Sequence, residues 1–150
     1  PDFIKRIDKN KKLSIRNPKA VRPWQLVLEP LNGYLMLAEK LFLEGIDYAE
    51  SWNFGPDNQA EKSVEWLISR FDKEYGGGNN FEISAAESSP HEAQNLRLDC
   101  SKSMQRLNWS PKLNIEKSIS MTCAWYKNFY KDNQDMYSFS VEQIKQYELI

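Results

Sequence analysis

Apolar side chains recur at helical spacing along several stretches of the chain. The most strongly patterned is Val27 to Leu43. Leu28, Leu31, Leu35, Ala38 and Phe42 form its stripe, and Met36, Leu37 and Leu41 widen it. Few polar positions remain, so the pattern predicts a central helix that is largely buried. Pro30 fits only in its first turn, where a missing N–H costs little. A shorter helix is predicted over residues 2–11, with Phe3, Ile4 and Ile7 on one side. Another runs over 60–73, where Val64, Leu67, Ile68 and Phe71 fall at i, i+3, i+4 and i+7. Ile115, Ile119, Thr122, Tyr126 and Phe129 mark one face of a last long helix, and VEQIKQYELI gives a short terminal one.

Between these stretches the period shortens. LSI at 13–15 is a strand candidate, and FEISA at 81–85 and LRLD at 96–99 alternate as half-buried strands do. SWNFGP at 51–56 reads as a short buried strand ending in a Gly-Pro turn. Asn17-Pro18 signals a turn and GGGNN at 76–80 a loop. Asp99 or Ser101 caps a helix over 101–107. The pattern gives a single domain over residues 1–150: an α/β fold, a mixed α+β lobe that is helix-rich with short strands.

Composition agrees with a packed core. The chain has 150 residues, 41% hydrophobic and 13% aromatic. Charge is unevenly spread. Residues 1–22 carry a net +6, which leaves −7 for the rest of a chain whose total is −1. The basic run can draw an anion, or it can be a solvated face. A nucleic-acid binder is basic overall, so no nucleic-acid partner is expected. No apolar run is long enough for a membrane span, so no membrane partner is expected either. Cys100 and Cys123 make no disulfide framework, which points to a reducing cytoplasm. The chain starts at Pro1 without a methionine, as a processed protein, a trimmed one or a piece of a longer one would.

The chemistry that is missing narrows the reading. The six glycines form no GxGxxG motif and no P-loop. No GxSxG elbow is present, and His91 is the only histidine. The cysteines have no metal-ligand spacing, so no metal is expected. None of the seven tyrosines has a lysine four residues later, so no catalytic Tyr-x-x-x-Lys pair is present and no catalytic residue is assigned. What remains resembles a binding surface.

Three stretches carry binding chemistry. Arg22 stands just before the long helix, and its guanidinium fork suits phosphate oxygens. It could equally pair with Glu29 or lie over Trp24. Asn53, followed by Gly55, can donate to a phosphate or satisfy its own turn. SSPHEAQN at 88–95 holds His91 and Glu92, and a carboxylate there can accept from both ribose hydroxyls. Trp52, Trp66, Trp109 and Trp125 read as core residues rather than stacking platforms.

The order of these pieces carries a resemblance over nearly the whole chain. RNPKAVRPWQLVLEPLNGYLMLAEKL, then WNFGP, then SPHEAQNLRLDCSKSMQRLNWSPKLNIEKSI resembles the C-terminal part of the CDP-glucose 4,6-dehydratases. These are extended short-chain dehydrogenase/reductases. The resemblance implies a substrate-binding C-terminal domain whose NAD-binding Rossmann domain is absent from this chain. It implies an enzyme that holds NAD mainly in that other domain and oxidises its sugar at C4. Water is then eliminated across C5 and C6, and the hydride returns to C6. No cofactor is expected on this chain, and a homo-oligomer is expected of the longer protein. Carried over by motif, Arg22 resembles the pyrophosphate-binding arginine and Asn53 a neighbour of those phosphates. Glu92, beside His91, resembles a ribose ligand, and Ser14 and Arg16 lie where the nucleobase is expected. The subfamily reads RPWQHV where this chain has Leu26. Two other readings stay open: the same lobe of a different nucleotide-sugar dehydratase or epimerase, and a stand-alone binding module without catalysis.

Overall fold

A computed structural model describes residues 2–9, 11–57, 60–84, 95–132 and 135–150. Helix α1 (Asp2–Asp8) leads into β1 (Leu13–Ile15) and β2 (Val21–Pro23). The long helix α2 (Leu28–Glu44) follows and closes in a 3-10 turn over 45–48. Then come β3 (Glu61–Ser63), α3 (Val64–Tyr75) and β4 (Phe81–Ile83). Helices α4 (Ser101–Leu107) and α5 (Ile115–Lys127), a π-helical turn over 128–132 and helix α6 (Met136–Glu148) complete the described order.

The strands form two short pairs. β1 runs parallel to β4, with Ser14 opposite Glu82. β2 runs antiparallel to β3, with Arg22 opposite Lys62 and Pro23 opposite Glu61. Two expected strands are corrected. SWNFGP and LRLD are not strands: a ladder needs a backbone partner, and 96–99 make only the isolated bridge of Asn95 to Val21 beside them. The helix expected over 60–73 begins later. Residues 61–63 pair with β2 first, and Ser63 caps α3 by accepting from the Trp66 N–H. Asn114 caps α5 and Asp135 caps α6 in the same way. Neither cap was read from the pattern. Before α4, Asp99 accepts the Ser101 N–H at 2.9 Å from one residue outside the helix start. Asn108 closes α4 in the left-handed conformation that asparagine tolerates.

Two apolar clusters hold the lobe. In the first, Phe3 and Ile4 of α1 meet Tyr75 of α3 and Ile115, Ile119 and Cys123 of α5, with Trp24 packed against them. In the second, Phe54, Cys100, Leu107 and Trp109 lie under Met36 and Leu37 of α2. Trp109 is 1% exposed and meets Phe54 edge-on at 5.1 Å. Gly33 lets that ring approach, because a Cβ there would stand 2.3 Å from it. Trp52, partly buried against the same cluster, stacks on Tyr48 below Lys102 and Arg106, which both pair with Glu50.

The buried Glu29, 1% exposed, joins three distant segments. Its carboxylate accepts from Lys112 N at 3.0 Å, from Leu113 N at 2.7 Å and from the Tyr147 hydroxyl at 2.9 Å. Burial and this bond both hold the Tyr147 phenol well above its ordinary pKa.

Helix α2 is not the buried helix its pattern predicts. Only Glu29 and Gly33 are fully buried along it. Val27, Leu31, Tyr34, Leu35, Leu41 and Phe42 form an exposed apolar stripe, with Leu35 72% and Phe42 89% exposed. Apolar periodicity reports a face that seeks cover, without saying that this chain supplies it. A patch of this kind favours association. Light scattering should therefore give a mass above the 17.6 kDa monomer. Leu35→Glu with Phe42→Glu should bring it back to the monomer. A monomeric wild type at high concentration would refute this.

Candidate functional site

Arg22 lies in the middle of β2, half-buried. Its Nη1 donates to the Val21 carbonyl at 2.8 Å, which folds the guanidinium along its own strand. The residues that follow are pinned in turn. Trp24 Nε1 donates to the Lys62 carbonyl at 2.8 Å, and Gln25 Nε2 donates to the Phe54 carbonyl at 2.8 Å. The alternative pairing of Arg22 with Glu29 is set aside by geometry, since that carboxylate is held by Lys112, Leu113 and Tyr147.

The Gln25 bond brings in the segment that carries Asn53. Asn53 is exposed, and its Nδ2 donates to the Asp99 carbonyl at 3.0 Å. Its own carbonyl accepts from the fully buried Ser103 hydroxyl. Gly55 N donates to Cys100 Sγ at 3.0 Å, and a Cβ at Gly55 would stand 2.9 Å from Leu98. The turn therefore fits tightly against 98–100. The Ser101 hydroxyl and N–H hold the Asp99 carboxyl below its ordinary pKa.

Ser14 is exposed on β1, and Arg16 is exposed just past its end. His91 and Glu92 lie outside the described residues. The described residues on either side of 85–94 are anchored beside the other candidates. Ser84 N donates to the Ile15 carbonyl at 3.1 Å, next to Arg16, and Leu96 N donates to the Val21 carbonyl at 3.3 Å, next to Arg22. Ser14 and Arg16 thus share one strand pair, Arg22 sits on the other, and Asn53 joins through Gln25.

Pattern reading missed Arg97. Its Nε lies 2.9 Å from Glu61, which faces Pro23 across the ladder, so a second arginine is tied to the strand that pairs with β2. The one available signal was alternation: in LRLD, Arg97 falls between Leu96 and Leu98. Leu26 is buried and lines a cavity of about 410 Å³ with Trp125 and Tyr126 of α5 and Ile144 of α6. Position 26, just before α2, thus faces a space shared with the last helices.

Among the described residues no left-handed glycine turn leads into an α-helix N-terminus. A phosphate cradle is a glycine turn that leads into a helix N-terminus. Here the left-handed glycines Gly45, Gly76, Gly77 and Gly78 follow the C-terminal ends of α2 and α3. No group of metal-binding side chains occurs among the described residues, and no described helix is long and apolar enough to cross a membrane.

No known protein family's sequence profile matches the chain. It is 36% identical over 147 residues to a CDP-glucose 4,6-dehydratase from Salmonella typhimurium (strain LT2), covering 98% of this chain. The chain is a homologue of that enzyme's C-terminal part. It spans 40% of the relative's length. A dTDP-glucose 4,6-dehydratase from Bacillus anthracis, solved in complex with NAD, superposes with a TM-score of 0.64 at 18% identity, over 85% of this chain and 38% of that one. A UDP-N-acetylglucosamine 4-epimerase from Bacillus cereus gives 0.64 at 13% identity, over 84% and 42%. RMD from Pseudomonas aeruginosa, complexed with NADPH, gives 0.63 at 16%, over 84% and 39%. The mixed, helix-rich fold with few short strands is thus shared with parts of these three proteins.

The thiols near this framework are inert by environment. Burial raises Cys100, and burial with Glu74 nearby pushes Cys123 up to about 12. A thiol whose folded pKa is raised adds stability that is complete below the unfolded value of 9.0 and is lost as pH climbs to about 12. Stability should therefore fall across that alkaline range, and less steeply in Cys123→Ala. Iodoacetamide at neutral pH should leave both thiols unlabelled until denaturant is added. Rapid labelling of the native chain would contradict this.

Proposed function

We propose that the chain is the nucleotide-sugar-binding lobe of an NAD-dependent 4,6-dehydratase whose substrate is a CDP-linked sugar. The observation that carries the reading is the position of Arg22. It stands on β2 beside the return of the chain at Asn95, and one hydrogen bond joins the segment after it to Phe54, next to Asn53. A guanidinium there offers paired donors to the pyrophosphate, and the Asn53 amide adds a neutral one. Ser14 and Arg16 face the nucleobase end, and Glu92, with His91, takes the ribose hydroxyls. The 36% identity to a CDP-glucose 4,6-dehydratase supports the choice of cytidine and of the reaction.

The cofactor belongs, in this reading, to the part of the longer protein that this chain does not span. It supplies the hydride chemistry; the lobe binds and orients the sugar nucleotide and does not turn it over alone. Two buried, unpaired thiols fit a reducing compartment such as the cytoplasm.

Calorimetric titration with CDP, UDP and GDP tests the assignment. CDP should bind more tightly than the other two, and Arg22→Ala should weaken it at least about tenfold, as loss of a charge-assisted contact does. Equal affinity for all three would remove the cytidine preference. An undiminished Arg22→Ala would remove Arg22 from the site.

A further inference from the structure

We propose that Glu29 is a positioning residue for the anion site at Arg22, acting through the backbone between them. The inference rests on the reading of Arg22 as a phosphate ligand. Glu29 stands in the first turn of α2, and its N–H donates to the Leu26 carbonyl at 3.0 Å. Between Arg22 and Glu29, Trp24 is tied to β3 and Gln25 to Phe54. The segment RPWQLVLE is therefore pinned along its length, and the carboxylate is its last pin.

That pin holds by polarity as well as by fit. The carboxylate receives two adjacent backbone N–H groups, of Lys112 and Leu113, and one phenol. It is solvated by fixed protein dipoles. Lys112 Nζ lies over the far side, 5.1 Å from the Tyr147 ring centre. A glutamine of the same size turns one acceptor oxygen into an NH₂ donor and sets it against N–H groups. The inner end of α2 then loses its hold on the 112–113 turn. The outer face of α2 carries the exposed apolar stripe, and its other inner contacts, Gly33, Met36 and Leu37 against the second cluster, lie further along the helix, so its first turn depends on this pin. Movement there is passed to Gln25, and from Gln25 to the spacing of Arg22 and Asn53.

Hydrogen exchange of the free chain, read by mass spectrometry on peptides covering 20–27 and 110–114, decides the point. Glu29→Gln should speed exchange at least about tenfold in both peptides, and Tyr147→Phe less, since it removes one donor of the three. Asp72→Asn, a change at a buried carboxylate that holds Asn79 and Asn80, away from this segment, supplies a general loss of stability and should leave 20–27 as in wild type. Titration with CDP should then show Glu29→Gln weakened while Asp72→Asn is not. Faster exchange in 110–114 with 20–27 unchanged would overturn the proposal, as would an equal effect of Asp72→Asn on 20–27. If Glu29→Gln does not fold, Tyr147→Phe and Glu29→Asp carry the same comparison. Arg22→Ala separates the two readings. Full CDP affinity in that variant sinks the phosphate assignment, while exchange, measured without ligand, still judges the pin.

Discussion

The buried carboxylate of Glu29 organises this lobe. Moving an isolated ion out of water costs far more than the few kcal/mol by which a domain is stable. Glu29 is tolerated because two backbone N–H groups and a phenol replace its water. The requirement works in both directions. The ion needs the turn after Pro111 and the end of α6 beside it, and each of those segments gains a fixed address on α2. Leaving any one donor or acceptor unmet in that interior costs about 1–3 kcal/mol. Gly33, one turn on, then admits the Phe54 ring, so one face of one helix receives three other parts of the chain.

The same helix explains where the candidate site lies. Trp24 packs with the α1–α3–α5 cluster, and Gln25 reaches the carbonyl of Phe54 in the other cluster. The segment that carries Arg22 therefore crosses from one core to the other. A cation at such a seam is held by short pins on both sides, and loops from either core can meet it. Asn53, Asn95 and Arg97 do so in the described residues through Gln25, Val21 and Glu61.

Much of this was readable in the sequence, and the failures have causes. Helices α1, α2, α3 and α5 show their apolar period, α4 the polar residues at its start, and β1 and β4 their short runs. The strand pair of β2 and β3 left no trace because VRP and EKS have no alternation of their own; their pairing is decided by which backbone lies opposite. SWNFGP looked like a strand because it is apolar and partly buried, yet its buried groups are satisfied by Gln25, Ser103 and Cys100 instead of a ladder. The stripe on α2 was seen, and its burial was wrongly inferred. Arg22 and Asn53 were legible as candidate anion ligands from their side chains, and the motif order raised them above an ion pair and a self-satisfied turn. The role of Glu29 was hidden, because its partners lie 83 to 118 residues away.

Those separations set a timetable for synthesis. A ribosome adds about 5–20 residues per second, so Glu29 waits for several seconds before residues 112 and 113 are made, and longer for Tyr147. Throughout that interval α2 has one face that cannot leave water and another that is apolar. The parallel pairing of β1 with β4 also spans most of the first half of the chain, so little of the lobe can settle from local contacts alone. The carboxylate thus acquires its last donor only once α6 has been made, long after the helix that carries it.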